Sequence, residues 1–243
     1  MGRSGRRIQE FKQFVVRDDA CGMKVGTDAL ILGSWAGGLQ FSEAVQPERI
    51  LDIGTGSGIL ALMLAQRFPS AVVDAIELEP DAADQATQNV QGSPFAERIT
   101  VHPRAFQGWE RQADLVVCNP PFFHNHPKST DRKRNLARHD DTLPLQTLFS
   151  NVKRCLTNRG EFALVFPEDR AEELREVAHQ FGFHCFACIQ LRATPVHEVI
   201  RSLWSWGLGP AEEARDLWEV EGEEGQGAWS SRLAGMLTPF VDT

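Results

Sequence analysis

Residues 49–67 read RILDIGTGSGILALMLAQR, and this stretch decides the fold. A short apolar run comes first, then a turn with three glycines, and then a strongly apolar segment of helical length. Glycine permits a tight turn, and a helix that begins directly after the turn presents free amide groups to an anionic ligand. The stretch therefore predicts a strand, a ligand-binding turn and a buried helix, which together form one unit of an α/β sheet.

The alternation of strand and helix continues through most of the chain. Apolar runs and helical periodicity predict strands at 71–76, 99–102, 114–118 and 162–166 and helices at 80–90, 142–156 and 168–181. Such alternation is typical of a mostly parallel sheet with helices on both faces. Two last strands, near 183–191 and 196–206, are joined by only a few residues and must pair antiparallel. We expect one α/β domain with a seven-stranded sheet and an antiparallel C-terminal hairpin.

Charge is distributed unevenly along the 243 residues. The net charge is −8, from 25 Lys plus Arg against 33 Asp plus Glu, which at first disfavours a nucleic-acid partner. Residues 210–243, however, hold eight acids and two arginines, whereas segments 1–17 and 128–138 each carry a net charge of +4. We divide the chain into an N-terminal segment 1–48, a core 49–209 and an acidic extension 210–243. The two basic segments leave RNA binding open.

Several classes of protein are disfavoured by composition. The longest uncharged stretch, 53–66, is too short to span a bilayer, and the N-terminus lacks the apolar core of a secretory signal. Five cysteines without framework spacing fit reduced thiols in the cytoplasm. Cys185 and Cys188 are three residues apart on a predicted strand, so their thiols should point to opposite faces, and no second pair completes a metal site. We expect a cytoplasmic protein without membrane contact, metal or an obligate protein partner.

The glycine turn and Glu77 indicate a nucleoside cofactor. Nicotinamide dinucleotides and S-adenosylmethionine both use such a turn, but the dinucleotide fingerprint requires its third glycine one residue later than Gly58. Glu77 follows the second predicted strand, 21 residues after Gly56, where a carboxylate can accept hydrogen bonds from both ribose hydroxyls. The spacing therefore favours a cofactor other than a dinucleotide.

Asn119-Pro120-Pro121-Phe122 directly follows the strand predicted at 114–118. The two prolines fix two φ angles and remove two amide donors, so the turn is rigid and rich in acceptors. The Asn119 side-chain oxygen and the Pro120 carbonyl can both accept hydrogen bonds from one planar NH₂ group, and Phe122 offers a ring for stacking. This arrangement would orient an exocyclic amine towards an activated methyl group.

The combination of an acidic-Gly-x-Gly-x-Gly turn with an NPP-aromatic turn resembles class I methyltransferases that methylate amines. The N-terminal segments FKQF (11–14), MKVGTDA (23–29) and LGSWA (32–36) narrow the resemblance to the bacterial tRNA1(Val) (adenine37-N6)-methyltransferases. The resemblance extends from about residue 11 to residue 206. It implies a Rossmann-like class I methyltransferase domain, S-adenosylmethionine as cofactor and an adenosine of tRNA as substrate.

The resemblance also implies a set of site residues. Asn119, Pro120 and Phe122 would hold the target adenine as catalytic residues, and Glu77 would bind the cofactor ribose. The other cofactor-binding residues would be Lys24, Gly26, Thr27, Asp28, Asp52, Gly54, Gly56, Gly58, Leu78 and again Asn119. One departure concerns Ala105, which stands where relatives commonly carry an Asp that binds the cofactor adenine, so this contact must come from the backbone or from another residue. The acidic extension is not covered by the resemblance.

A basic run follows the NPPF turn. Lysines and arginines at the mouth of a base pocket are suited to bind RNA phosphates, and an aromatic ring can stack on a base, so we assign substrate binding to Phe123, Lys128, Arg132, Lys133, Arg134 and Arg138. Without the NPPF turn, the same run would be an ordinary solvated loop. Two other functions stay open: the same chemistry on a protein glutamine amide or a guanine N2 of ribosomal RNA, and a non-catalytic protein that binds cofactor or RNA.

Overall fold

The structure is a computed structural model that describes residues 8–41, 45–120, 144–222 and 228–242. The strands in these ranges are β1 Ile8–Glu10, β2 Val15–Arg17, β3 Arg49–Ile53, β4 Val72–Glu77, β5 Ile99–Pro103, β6 Ala113–Cys118, β7 Leu156–Pro167, β8 His184–Arg192, β9 Val199–Gly207 and β10 Ala214–Glu219. The helices are α1 Thr27–Trp35, α2 Ile59–Arg67, α3 Pro80–Gln91, α4 Leu145–Cys155, α5 Ala171–Gln180 and α6 Ser231–Leu237. The predicted alternation of strand and helix is thus confirmed, with bounds that shift by a few residues.

One large sheet organises the molecule. Its strand order is β10-β8-β9-β7-β6-β3-β4-β5, and all neighbours are parallel except for β9, which is antiparallel to both β7 and β8. The predicted mostly parallel sheet and antiparallel C-terminal hairpin are therefore confirmed. The strand count of seven needs correction to eight, because residues 214–219 of the acidic extension pair with β8 as a further parallel strand.

Helices cover both faces of the sheet. On one face α1, α2, α3 and α6 share a hydrophobic cluster with odd-numbered residues of β4 and β6, and on the other face α4 and α5 share one with even-numbered residues. Residues Ile59 to Ala65 of α2 are all buried, as its apolar sequence predicts. Gly33 permits the close crossing of α1 over α2, because a Cβ there would lie 2.7 Å from Met63 Sδ. The core thus holds α1, and the segment that precedes it, against the sheet.

The pair of cysteines on β8 corrects one prediction. Cys185 is opposite Trp206 and Cys188 is opposite Trp204, because a β-bulge between Cys185 and Ala187 adds a residue to the strand. Both thiols therefore share one face of the sheet, and the prediction of opposite faces was wrong. Burial raises the pKa of each thiol to about 12. The rings of Trp204 and Trp206 stack with centroids 5.4 Å apart and are buried in the core.

Candidate active site

Three neighbouring strand ends bring the predicted site residues to one edge of the sheet. Ile53 at the end of β3 is in register with Ile76 of β4 on one side and with Cys118 of β6 on the other. The chain runs outward from β3 through β4 to β5, and then returns to β6 on the opposite side of β3. Ligands of open α/β sheets bind at such a switch point, beyond the carboxyl ends of the strands. The glycine turn, Glu77 and Asn119 therefore face a common space.

The glycine turn forms an open cradle. Gly54, Gly56 and Gly58 have φ angles of 70°, 55° and 84°, in the left-handed region that favours glycine. A Cβ added to Gly54 or Gly56 would meet no atom within 4 Å, whereas at Gly58 it would lie 3.5 Å from the Ala86 Cβ. The first two glycines thus border open space at the beginning of α2, and the third packs against α3.

Asp52 lies beneath this turn and is fully buried. Its Oδ2 accepts hydrogen bonds from Thr55 Oγ1 at 2.5 Å and from the Ala61 amide at 3.2 Å. Its Oδ1 has no hydrogen-bond partner among the described residues. Burial raises the pKa of the Asp52 carboxyl to about 7. The two hydrogen bonds lower this pKa, but their effect is smaller than that of burial. Asp52 therefore organises the turn and also keeps one acceptor oxygen for a ligand.

The Glu77 carboxylate is held in place by backbone amides. Its Oε1 accepts from the Glu79 amide at 2.9 Å, and its Oε2 accepts from the Gly56 amide at 2.8 Å. Burial raises the pKa of Glu77, and these hydrogen bonds oppose the shift. Each carboxylate oxygen can accept a second hydrogen bond, so the ribose hydroxyls still have acceptors. Leu78, the next residue, exposes 52% of its surface beside this carboxylate and can contact a bound nucleoside.

The N-terminal segment is anchored on α3 by Asn89, a residue that the sequence analysis missed. The Asn89 side chain accepts from the Arg17 amide at 3.0 Å and donates to the carbonyls of Arg17 at 2.7 Å and Ser57 at 2.8 Å. It therefore joins the N-terminal segment, the glycine turn and α3. The available signal was a polar residue at helical spacing from Ala82 and Ala86 on the buried face of α3.

Lys24 stabilises the loop between β2 and α1. Its Nζ donates to the carbonyls of Asp18 and Cys21 and lies 3.8 Å from the buried Asp18 Oδ1. The other Asp18 oxygen accepts from the Val25 amide at 2.9 Å. The charge of Glu77 contributes to raising the pKa of the Cys21 thiol, after the larger effect of burial. The loop thus passes close to the carboxylate that we predict to bind ribose.

A cavity of about 140 Å³ lies between this loop and the end of β6. Its described lining consists of Met23, Lys24, Gly26, Asp28, Asn119, Pro120 and Arg201. The structure therefore brings the predicted residues Lys24, Gly26 and Asp28 together with Asn119 and Pro120. None of the described lining residues belongs to the glycine turn.

Arg201 is the second residue that the sequence analysis missed. Its Nε donates to Asp28 Oδ2 at 3.3 Å, from the beginning of β9 to the first turn of α1. Burial raises the pKa of Asp28, and the charge of Arg201 lowers it. Asp28 lies inside α1 and does not cap it, because Gly26 occupies the N-cap position. No sequence signal joins residues 173 positions apart, so only the fold reveals this ion pair.

Several predicted residues lie outside the described ranges. These are the catalytic Phe122 and the substrate-binding residues Phe123, Lys128, Arg132, Lys133, Arg134 and Arg138. The structure describes the loop that contains Ala105, and the Ala105 carbonyl accepts a hydrogen bond from Arg104 Nε at 3.3 Å.

Among the described residues no group of three or more His, Cys, Asp or Glu could hold a metal ion. None of the helices in the described ranges has the length and apolar character needed to cross a bilayer.

The residues at this edge fit S-adenosylmethionine. The cradle at Gly54 and Gly56 leaves room that a side chain would fill, the unpartnered Asp52 oxygen can accept from an ammonium group, and Glu77 can accept from ribose hydroxyls. The exposed Leu78 side chain adds an apolar contact for a purine. Asn119 and Pro120, which follow β6 at the same edge, line the cavity together with Asp28 and Arg201.

Comparison with known proteins gives consistent matches. Residues 39–184 match the family model of the methyltransferase small domain. A tRNA1(Val) (adenine(37)-N6)-methyltransferase of Porphyromonas gingivalis is 41% identical over 217 residues, which cover 86% of this chain and 83% of that protein. A protein of the same name from Aeromonas salmonicida is 38% identical and covers 95% of both chains.

Solved structures support the fold. A protein of Agrobacterium tumefaciens described as a predicted O-methyltransferase superposes with a TM-score of 0.68 at 17% identity, over 88% of this chain and 96% of that chain. TYW2 of Pyrococcus horikoshii, solved in complex with MeSAdo, superposes with a TM-score of 0.58 at 12% identity, over 85% and 72% of the two chains. At these identities the likeness concerns the fold alone.

Proposed function

The chain belongs to the tRNA1(Val) (adenine(37)-N6)-methyltransferase family, and from this premise we propose that it methylates the exocyclic N6 amine of adenosine 37 in tRNA1(Val). The methyl donor is S-adenosylmethionine. The observation that carries the proposal is the position of Asn119 and Pro120, which directly follow β6 beside the strand that leads to the glycine turn and line a cavity large enough to admit a ligand group.

The two acceptors at the end of β6 account for the chemistry. When bound, S-adenosylmethionine supplies a methyl carbon that its sulfonium already activates. Asn119 Oδ1 and the Pro120 carbonyl accept the two N–H groups of the adenine amine, which directs the nitrogen lone pair towards that carbon. The same acceptors offset the positive charge that grows on the nitrogen, and one proton then leaves to water. Phe122 stacks on the adenine ring.

The parts of the chain have separate roles in this proposal. Residues 1–48 cover the cofactor, with the Asn89 contacts as support, and residues 49–209 form the methyltransferase core. Residues 210–243 are an extension whose β10 lengthens the sheet. The basic run with Lys128, Arg132, Lys133, Arg134 and Arg138, together with Phe123, binds tRNA beside the pocket. A tRNA substrate in turn implies that the protein is located in the cytoplasm.

Nucleoside analysis tests the proposal. Purified protein is incubated with labelled S-adenosylmethionine and unmodified tRNA1(Val) transcript, and the RNA is digested to nucleosides. We expect label in N6-methyladenosine from position 37, and none when A37 is replaced by G. Label in methylguanosine or in protein would favour the other planar amines, guanine N2 or glutamine, and no transfer at all would favour a non-catalytic binding protein.

A further inference from the structure

The end of the described chain contributes to the same core as its beginning. We define the C-terminal segment as residues 228–242, which contain α6. Its Leu237 and Phe240 side chains are fully buried. They belong to the same hydrophobic cluster as Phe11 and Phe14, which lie in the turn between β1 and β2. This part of the acidic extension is therefore an integral part of the fold.

Hydrogen bonds join the C-terminal segment directly to the turn between β1 and β2. The Lys12 amide donates to the Phe240 carbonyl at 2.7 Å, and Lys12 Nζ donates to the Thr238 carbonyl at 2.7 Å. The carbonyl between these two, that of Pro239, accepts from Gln66 Nε2 of α2 at 2.7 Å. Three successive carbonyls of the C-terminal segment are thus bound by other parts of the chain.

The contacted turn belongs to a segment that continues to the candidate site. We call residues 8–26 the N-terminal strap. Its strands β1 and β2 form a separate two-stranded sheet with three residues in each strand. So short a hairpin is not stable alone and depends on packing against other elements. Beyond it, Asn89 binds both Arg17 of the strap and the Ser57 carbonyl of the glycine turn, and Gly26 lines the cavity.

The strap is therefore held at two places, by Asn89 next to the glycine turn and by the C-terminal segment at Lys12. In the proposed function the cofactor lies beneath the strap, so that it can enter or leave only when the strap opens. No residue of the C-terminal segment belongs to the described cavity lining or to the glycine turn. Any effect of this segment on the cofactor must therefore pass through the strap or through α1.

We propose that the C-terminal segment is a positioning element that holds the N-terminal strap closed over S-adenosylmethionine, and that the two segments open and close as one unit. This inference rests on the proposed function, which places the cofactor beneath the strap. Coupling between two sites is reciprocal. The cofactor must therefore also hold the C-terminal segment closed, although it does not touch this segment.

Amide hydrogen exchange of the full chain tests this reciprocity. Exchange is followed by mass spectrometry in peptides of the strap, of residues 231–241 and of α5, which packs on the other face of the sheet. S-adenosylmethionine is added at 100 times its Kd, where a ligand that binds only the closed form slows opening by up to about 100-fold. We expect exchange in the strap and in residues 231–241 to fall by the same factor, and exchange in α5 to fall much less.

Lys12→Met tests the strap contact without disturbing α1. Methionine keeps the apolar part of the side chain but cannot donate to the Thr238 carbonyl. Loss of one such hydrogen bond should speed the exchange of both segments by about 2- to 10-fold without cofactor. Lys153→Met is the matched control, because Lys153 is an exposed lysine near the end of α4, and its exchange pattern should equal that of wild type.

Leu237→Ala tests the same coupling through cofactor affinity. A buried Leu→Ala change should shift the opening equilibrium by about 100- to 5,000-fold. From an open form of about 1% in wild type, this shift weakens S-adenosylmethionine binding by about 2- to 50-fold, which calorimetry measures. The control is Leu174→Ala, which removes an equally buried leucine from the hydrophobic cluster on the other face. It should lose comparable stability and keep the wild-type Kd.

Two exchange results would overturn the inference. If the cofactor slows exchange in the strap but not in residues 231–241, the two segments open independently. If it slows α5 to the same extent as both segments, the exchange reports unfolding of the whole domain. A wild type that binds S-adenosylmethionine but methylates no tRNA would overturn the proposed substrate alone, because exchange and calorimetry read cofactor binding. A wild type that binds no S-adenosylmethionine would overturn both.

Discussion

Asp52→Asn tests the chemistry beneath the glycine turn through the stability of the protein. Burial raises the pKa of the Asp52 carboxyl from 3.8 to about 7. Between these values the folded state holds a proton that the unfolded state has lost, so the free energy of unfolding falls as pH rises and levels off above pH 7. With about 1.4 kcal/mol for each pKa unit, the Asp52 contribution falls by roughly 2 kcal/mol between pH 5 and pH 7.

Asparagine has the same shape and cannot ionise. Its oxygen can accept from Thr55 and Ala61 as Asp52 Oδ2 does, so the variant should keep the turn. Urea unfolding without cofactor, at pH 5, 6, 7 and 8, gives the difference between wild type and variant at each pH, in which the titrations of groups that do not interact with Asp52 cancel. We expect this difference to fall by about 2 kcal/mol from pH 5 to pH 7.

Two further measurements sharpen the test. Thr55→Val removes a hydrogen bond that lowers the pKa of Asp52, so the pH-dependent fall should extend to higher pH. If the ionised Asp52 carboxylate accepts from the ammonium group of S-adenosylmethionine, wild-type affinity for this cofactor rises with pH through this window, and the affinity of Asp52→Asn does not. A difference in unfolding free energy that stays constant from pH 5 to pH 7 would refute the reasoning.

Three other predictions concern the site and its support. Asn119→Ala should lose at least about 100-fold in kcat while it still binds the cofactor, because the acceptor acts chiefly on the amine; calorimetry and single-turnover rates separate the two effects. Asn89→Ala removes three hydrogen bonds of a buried side chain and should lower the free energy of unfolding by about 2 kcal/mol and weaken cofactor binding; an unchanged melting temperature would contradict its role as an anchor. Replacing Arg132, Lys133 and Arg134 together with alanine should weaken tRNA binding and reduce its salt dependence, and equal affinity at all salt concentrations would show a merely solvated loop.

Local patterns were sufficient to predict the sheet and the positions of the glycine turn, Glu77 and Asn119 at neighbouring strand ends. The glycine turn, Glu77 and the NPPF turn each follow a strand directly, and parallel strands bring their carboxyl ends to one edge, so the sequence order already implies their proximity. The eighth strand could not be predicted in the same way. Residues 214–219 carry charges at alternate and adjacent positions, and their pairing with β8 depends on tertiary contacts such as the ion pair of Arg175 and Glu213.

The ion pair of Asp28 and Arg201 could be found only from the fold. Arg201 and Asp28 are 173 positions apart, and neither belongs to a pattern that joins them. The faces of Cys185 and Cys188 depended on a bulge, which alternation along a strand cannot reveal. Asn89 was the one missed residue with a signal, as a polar side chain on a buried helix face.

The most direct test of the central claim is the nucleoside produced by the wild-type enzyme. Unmodified tRNA1(Val) and labelled S-adenosylmethionine should yield N6-methyladenosine at position 37, with Asn119→Ala binding cofactor but producing none above background. Label in any other nucleoside, or equal turnover by Asn119→Ala, would contradict the account.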